Sequence, residues 1–201
     1  MTIRWASFLL GALALLLALL AAGLIVILTG GYNVAASEPH SALGEWALHT
    51  TFRNSVKGGA SGLEPPATFS PAMIAAGAGE YKSMCQHCHG GVNADRDEWA
   101  EGMRPLPPML AADADRWSAA EIFWLVKHGA KMTGMPAFGA THDDATIWNI
   151  AAFVQALPQM DAAQYAAYPA EHDEHGEPYG EHGEDEEGGH THPEGTPPHR
   201  D

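Results

Sequence analysis

Cysteine is almost missing from this chain: 201 residues contain two, Cys85 and Cys88. With no other thiols, neither a disulfide framework nor a four-cysteine zinc site can be built within one copy. Basic residues are scarce too, 10 Lys and Arg against 25 Asp and Glu, for a formal net charge of −15. Binding a phosphate backbone needs cations that displace counterions, so nucleic acid is not an expected partner. No stretch alternates apolar and polar residues as a half-buried strand would, so the expected fold class is all-α. The acid excess is also uneven. Residues 171–201 carry eleven acids against the single base Arg200, so most of the charge is local and the folded part must be smaller than the chain.

What is present begins with a long apolar run. From Trp5 to Leu28 no residue is charged, and Leu and Ala dominate. As a helix rising about 1.5 Å per residue, this run spans about 36 Å, enough for a hydrocarbon core of about 30 Å with some tilt. Val34-Ala35-Ala36 offers small residues to a signal peptidase, but the run exceeds the roughly 7–15 residues of a signal core, which favours a retained anchor. Arg4 and the amino terminus favour a cytoplasmic start. The expected localisation is therefore the bacterial inner membrane, single pass, with the following domain in the periplasm. The chain divides into an anchor (1–30), a spacer (31–69), a compact domain (70–168) and a disordered acidic, histidine-rich tail (169–201).

In the spacer, Ala42 to Val56 has the makings of a helix or a membrane-surface segment, and Trp46 and Phe52 suit either the domain or lipid headgroups. The compact region opens at Ser70-Pro71, an N-cap followed by the helical position where proline is harmless; this helix should reach about Met84. Ser118-Ala119-Ala120-Glu121 is a capping box, followed by Ile122 to Val126 and a stop at Gly129. A third helix should start near Asp143-Asp144, whose acids suit the positive end of its dipole, and end near Leu157-Pro158. Three short helices in roughly 100 residues bury a modest core that ordinarily needs a staple or cofactor.

Cys85-Gln86-His87-Cys88-His89 supplies a candidate staple. Cys-x-x-Cys-His is the attachment signature of c-type haem: two thiols add to the two vinyl groups and the adjoining imidazole meets the iron. Two other chemistries share part of the pattern. A redox dithiol has the same thiol spacing but opens a helix after a strand, whereas this motif closes a helix. A zinc site would lack its usual second ligand pair. His87 occupies a variable position between the thiols and is expected to be exposed. For the opposite face of the iron, Met135 in Gly134-Met135-Pro136 is preferred over Met132, with Met103 and Met109 more distant and His128 and His142 as bis-histidine alternatives. A carbonyl from the Pro105–Leu110 run, freed by its prolines, could accept the ring N–H of His89; a plain structural turn is the other reading.

Residues from about 71 to 160 resemble class I cytochrome c. Three segments carry the likeness: Gly77 and Tyr81 leading into the cysteine motif, the Gly134-Met135-Pro136 loop, and Ile147 to Val154 on the last helix. The resemblance implies a small helical domain around one covalent haem c held by Cys85 and Cys88. It also implies axial ligands His89 and Met135, a close crossing of the first and last helices at Gly77, and one-electron transfer between redox proteins. The expected function is a membrane-anchored monohaem electron carrier of the respiratory chain, not an enzyme, and alternatively a subunit of a respiratory complex. The domain's bases (Lys82, Arg96, Arg104, Arg116, Lys127, Lys131) are outnumbered by acids, so a lysine docking ring is not evident.

The tail holds His172, His175, His182, His190, His192 and His199 among carboxylates. Its composition cannot bury enough apolar surface to fold, and imidazoles with carboxylates suit weak zinc, copper or nickel sites. A solvated polyanion is the plainer reading. The rival function is a haem-containing metal-handling or redox-sensing protein that uses this tail. Zinc or copper titration of full-length and tail-deleted chains separates the two, equal affinities removing the metal role.

Overall fold

The computed structural model describes residues 5–169; the six tail histidines lie outside them. The described residues form helices and turns with no strand, apart from one isolated bridge between Gly91 and Ala94. The helices are α1 (Trp5–Thr29), α2 (Ala42–Ala60), α3 (Pro71–Glu80), α4 (Gln86–His89), α5 (Leu110–Asp113), α6 (Ala119–His128), α7 (Asp144–Ala156) and α8 (Ala162–Ala167).

Helix α1 has a mean hydropathy of 2.9 in its most apolar window and no buried residue, so by length and composition it is a candidate membrane span. Helix α2 begins at a Ser41 cap, whose Oγ accepts from Gly44 N–H, and outlasts the Ala42–Val56 stretch. Its C-terminal half seats on the helical domain. Val56 and Ala60 are buried, Phe52 meets Trp117 edge-on with ring centroids 5.9 Å apart, and the Arg53 guanidinium lies 4.0 Å from the Trp117 ring centroid. The two aromatics of this segment thus part company: Phe52 joins the domain and Trp46 is 64% exposed.

Three helices frame the core. Helix α3 starts with Ser70 Oγ accepting from Met73 N–H and with Pro71 in the first turn. It continues through a π-turn, Tyr81–Cys85, directly into α4, so the cysteine motif is the last stretch of one continuous helical rod. In that turn Gln86 N–H reaches back to Tyr81 O, and such one-residue widenings recur at functional sites because they re-aim the side chains that follow. The capping box opens α6: Ser118 N–H donates to Glu121 Oε2 at 2.8 Å and Glu121 N–H to Ser118 Oγ at 3.3 Å. Asp143 Oδ1 caps α7 by accepting from Thr146 N–H at 2.8 Å.

Helices α3 and α7 make the most extensive contact in the fold. They can do so because residue 77 is glycine: a Cβ there would fall onto the Asn149 carbonyl. Beside the crossing, Tyr81 and Phe153 pack with centroids 5.3 Å apart, and neither has any exposed surface. Full burial of such a side chain is worth about 1.5–3 kcal/mol relative to exposure. Helix α6 adds Ile122, Phe123 and Val126 to the same core, with Phe123 stacked on Trp148 at 4.1 Å, and Lys127 pairs with Asp144 of α7 at 2.6 Å.

Candidate haem-binding site

The cysteine motif sits where α3, the π-turn and α4 end, and the structure surrounds it from three directions. From below, the Tyr81 hydroxyl donates to Gly90 O at 2.7 Å, tying the rod to the turn that follows His89. Burial pushes the Tyr81 phenol far above its ordinary value, so it remains a donor. From the C-terminal side, Tyr165 of α8 donates its hydroxyl to Gln86 Oε1, and Lys82 Nζ donates to the carbonyls of Tyr165 and Tyr168 at the end of that helix. An ammonium group satisfying terminal carbonyls stabilises a helix end. From the third side comes the proline arm, residues 105–110.

His89 shows what the arm is for. Its Nδ1 lies 2.8 Å from the carbonyl oxygen of Pro108. A carbonyl only accepts, so Nδ1 carries the proton and Nε2 is left as the lone-pair nitrogen, the tautomer a metal-ligating imidazole needs. Burial pushes the imidazolium pKa down, against the Pro108 bond, which raises it, and with the Arg96 charge, which lowers it further; the ring therefore stays neutral at neutral pH. His87 turns the other way, 51% exposed, with Nδ1 2.9 Å from Asp97 Oδ2.

Both thiols are free and half-buried. Burial pushes the Cys85 thiol up to about 12, helped by the Glu80 charge and by Cys88. Cys88 is raised as well, first by burial, then by Asp97, with Arg96 acting against them. A redox dithiol needs a thiol whose pKa is lowered, so this environment is the wrong one for that chemistry. Nor do the described residues bring together three or more His, Cys, Asp or Glu side chains able to hold a metal ion, as a zinc site would require.

The methionine loop hangs from the end of α6. Gly129 ends that helix at φ +65°, a left-handed conformation that suits glycine, and a Cβ there would lie 2.7 Å from Pro136 O. The loop is closed by Ala130 N–H donating to Met135 O at 3.2 Å, and by Thr133 Oγ1, which donates to Ala130 O at 2.7 Å and accepts from Met135 N–H at 3.1 Å. Met135 is half-buried against the core, whereas Met132 is 92% exposed. The two bis-histidine alternatives are engaged elsewhere: His128 packs on Trp124 and His142 Nε2 lies 3.6 Å from Glu80 Oε2.

Several contacts of the motif escaped sequence reasoning, among them the place of Met103, which the sequence offered only as a more distant ligand alternative. Met103 comes within 3.9 Å of Cys88 Sγ and its methyl fills the space over Gly134, linking the two halves of the site. Arg96, Tyr165 and Lys82 also converge here. No spacing rule connects Gln86 to Tyr165, and their partnership exists only after folding.

The donor set fits haem c: two thiols on one helical rod, an adjacent imidazole with its tautomer fixed, and a thioether on a loop braced by the same core. Comparison with known families agrees. Residues 72–154 match the family described as "Cytochrome C oxidase, cbb3-type, subunit III". This segment is a c-type cytochrome domain, consistent with a class I monohaem cytochrome c, and its general role is that of a haem c electron carrier. No curated protein and no solved structure matches the chain.

Proposed function

We propose that this chain carries single electrons on the outer face of a bacterial inner membrane, through one haem held covalently by Cys85 and Cys88 and ligated by His89 and Met135. The observation that carries the reading is the His89 Nδ1–Pro108 O bond of 2.8 Å at the end of the rod bearing both thiols. When bound, haem c supplies an iron that alternates between ferric and ferrous states by one electron.

The residues of the chain do the rest. Pro108 holds the imidazole proton on Nδ1 and leaves the other nitrogen with its lone pair, the one that would hold the iron. The 133–136 loop presents the Met135 thioether, which as a ligand raises the reduction potential relative to a second imidazole. With His89 and Met135 as the two residues that would hold the iron, no ligand position would be left for a substrate, which would suit an electron carrier. Helix α1, with its mean hydropathy of 2.9, supports anchoring in the membrane, and export through that membrane delivers the thiols to the compartment where c-type haem is attached. Donor and acceptor would be respiratory redox proteins; the matched family's description favours service within a larger oxidase complex.

The test is a reduced-minus-oxidised spectrum of membranes from a host able to mature c-type haem, followed by acid–acetone extraction of the purified protein. An alpha band of haem c that resists extraction is expected. Colourless protein, or pigment released by the solvent, overturns the reading.

A further inference from the structure

The side chain of Arg96 is only 7% exposed, although it stands in the turn after the cysteine motif and next to the exposed Asp97. A guanidinium taken out of water must find acceptors. Arg96 uses two: Nη1 donates to the Pro107 carbonyl, and Nε pairs with Glu101 Oε1 at 3.0 Å. Glu101 is 60% exposed, so the buried charge is balanced by a carboxylate that still faces water.

The next residue, Pro108, offers its own carbonyl to His89 Nδ1 at 2.8 Å. Between the two carbonyls lies one peptide plane, containing Pro107 O and Pro108 N. Holding Pro107 O holds that plane. The pyrrolidine ring of Pro108 then locks φ, so ψ of Pro108 is the one soft dihedral left between the clamp and the oxygen that meets the imidazole. Proline stiffness alone would leave the whole arm free to swing about its ends; the guanidinium removes that freedom.

We propose that Arg96 is a positioning residue for the axial histidine: it fixes the Pro107–Pro108 peptide plane, aims the Pro108 carbonyl at His89 Nδ1, and so sets the orientation and basicity of the imidazole. The inference rests on the haem reading above. The role needs arginine, because the planar fork serves Pro107 and Glu101 at once, whereas the single ammonium of lysine is a point charge without that geometry.

The experiment uses the full-length, haem-loaded protein as wild type, Arg96→Lys and Glu101→Gln. Two quantities are read in the reduced state: solvent exchange of the His89 Nδ1–H proton by NMR, with the α7 amides of Ile150 and Phe153 as internal references, and the reduction potential. Arg96→Lys keeps the charge, so a change reports positioning. Its Nδ1–H is expected to exchange at least ten-fold faster while the α7 amides are unchanged, and its potential should rise, since an imidazole with a weaker acceptor donates less to the iron. Glu101→Gln should move both in the same direction by less, and it serves alone if Arg96→Lys does not mature. Ring exchange and potential matching wild type overturn the proposal, and so does ring exchange that accelerates only in step with the α7 amides. Wild-type protein without covalent haem would instead sink the reading of the site.

Discussion

Gly77 and Asn149 meet backbone to backbone: the missing side chain of the first leaves room for the carbonyl of the second, and α3 and α7 cross there. The rod that ends in the cysteine motif is thereby fixed against the helix that carries Phe153, Ile150 and Ile147, all fully buried.

Gly77→Ala is therefore expected to destabilise the domain although alanine favours helix. The methyl group has nowhere to go but into the Asn149 carbonyl, and forcing helices apart in a packed core costs about 1–3 kcal/mol. Denaturant unfolding monitored on the helical signal checks this. Stability equal to or above wild type would show that the crossing is looser than described.

The two loop methionines should behave oppositely. Met135→Ala is expected to lower the reduction potential and to let the ferrous protein bind carbon monoxide stoichiometrically, because a ligand position opens. Met132, with 92% of its surface exposed, should be replaceable by alanine with neither effect. Carbon monoxide difference spectra of the two variants decide the matter; the reverse pattern would transfer the ligand role.

Acid sensitivity should have a contribution from the start of α7. The Thr146 backbone N–H bond, then the Thr146 side chain, hold the Asp143 carboxyl below the usual carboxylate range. A group whose folded pKa is depressed contributes stability that is complete above its unfolded pKa and is lost as pH falls through the folded value. Asp143→Asn keeps an oxygen for the cap but does not titrate, so its stability should fall less steeply than wild type across the acid range below the ordinary carboxylate pKa. Parallel acid limbs in thermal melts at several pH values would remove this role.

Much of the site was legible in the residues themselves. Capping is local chemistry, so Ser70, Ser118 and Asp143 mark their helices from sequence within a residue or so. The cysteine motif is a local pattern of five residues, and the Gly134-Met135-Pro136 loop is bounded by the residues that interrupt helices. The π-turn at Tyr81–Cys85 was not legible, because a one-residue widening inside a helix carries no capping or spacing signal of its own. The spacer segment left open whether Phe52 meets the domain or lipid headgroups and did not name Trp117 as its partner, since a weakly amphipathic helix declares its partner only once that partner's surface exists.

By itself, then, the sequence marked the starts of α3, α6 and α7, the thiol pair with its histidine, and the apolar run at the N-terminus, all of which follow from spacing along the chain. Tertiary structure alone decided which proline carbonyl meets His89, that Met103 lies between Cys88 and Gly134, and that Arg96 holds the proline arm. Those relationships join residues far apart along the chain, or depend on which way a turn aims a single oxygen. Such directions come from the packing of the whole domain, which no local pattern encodes.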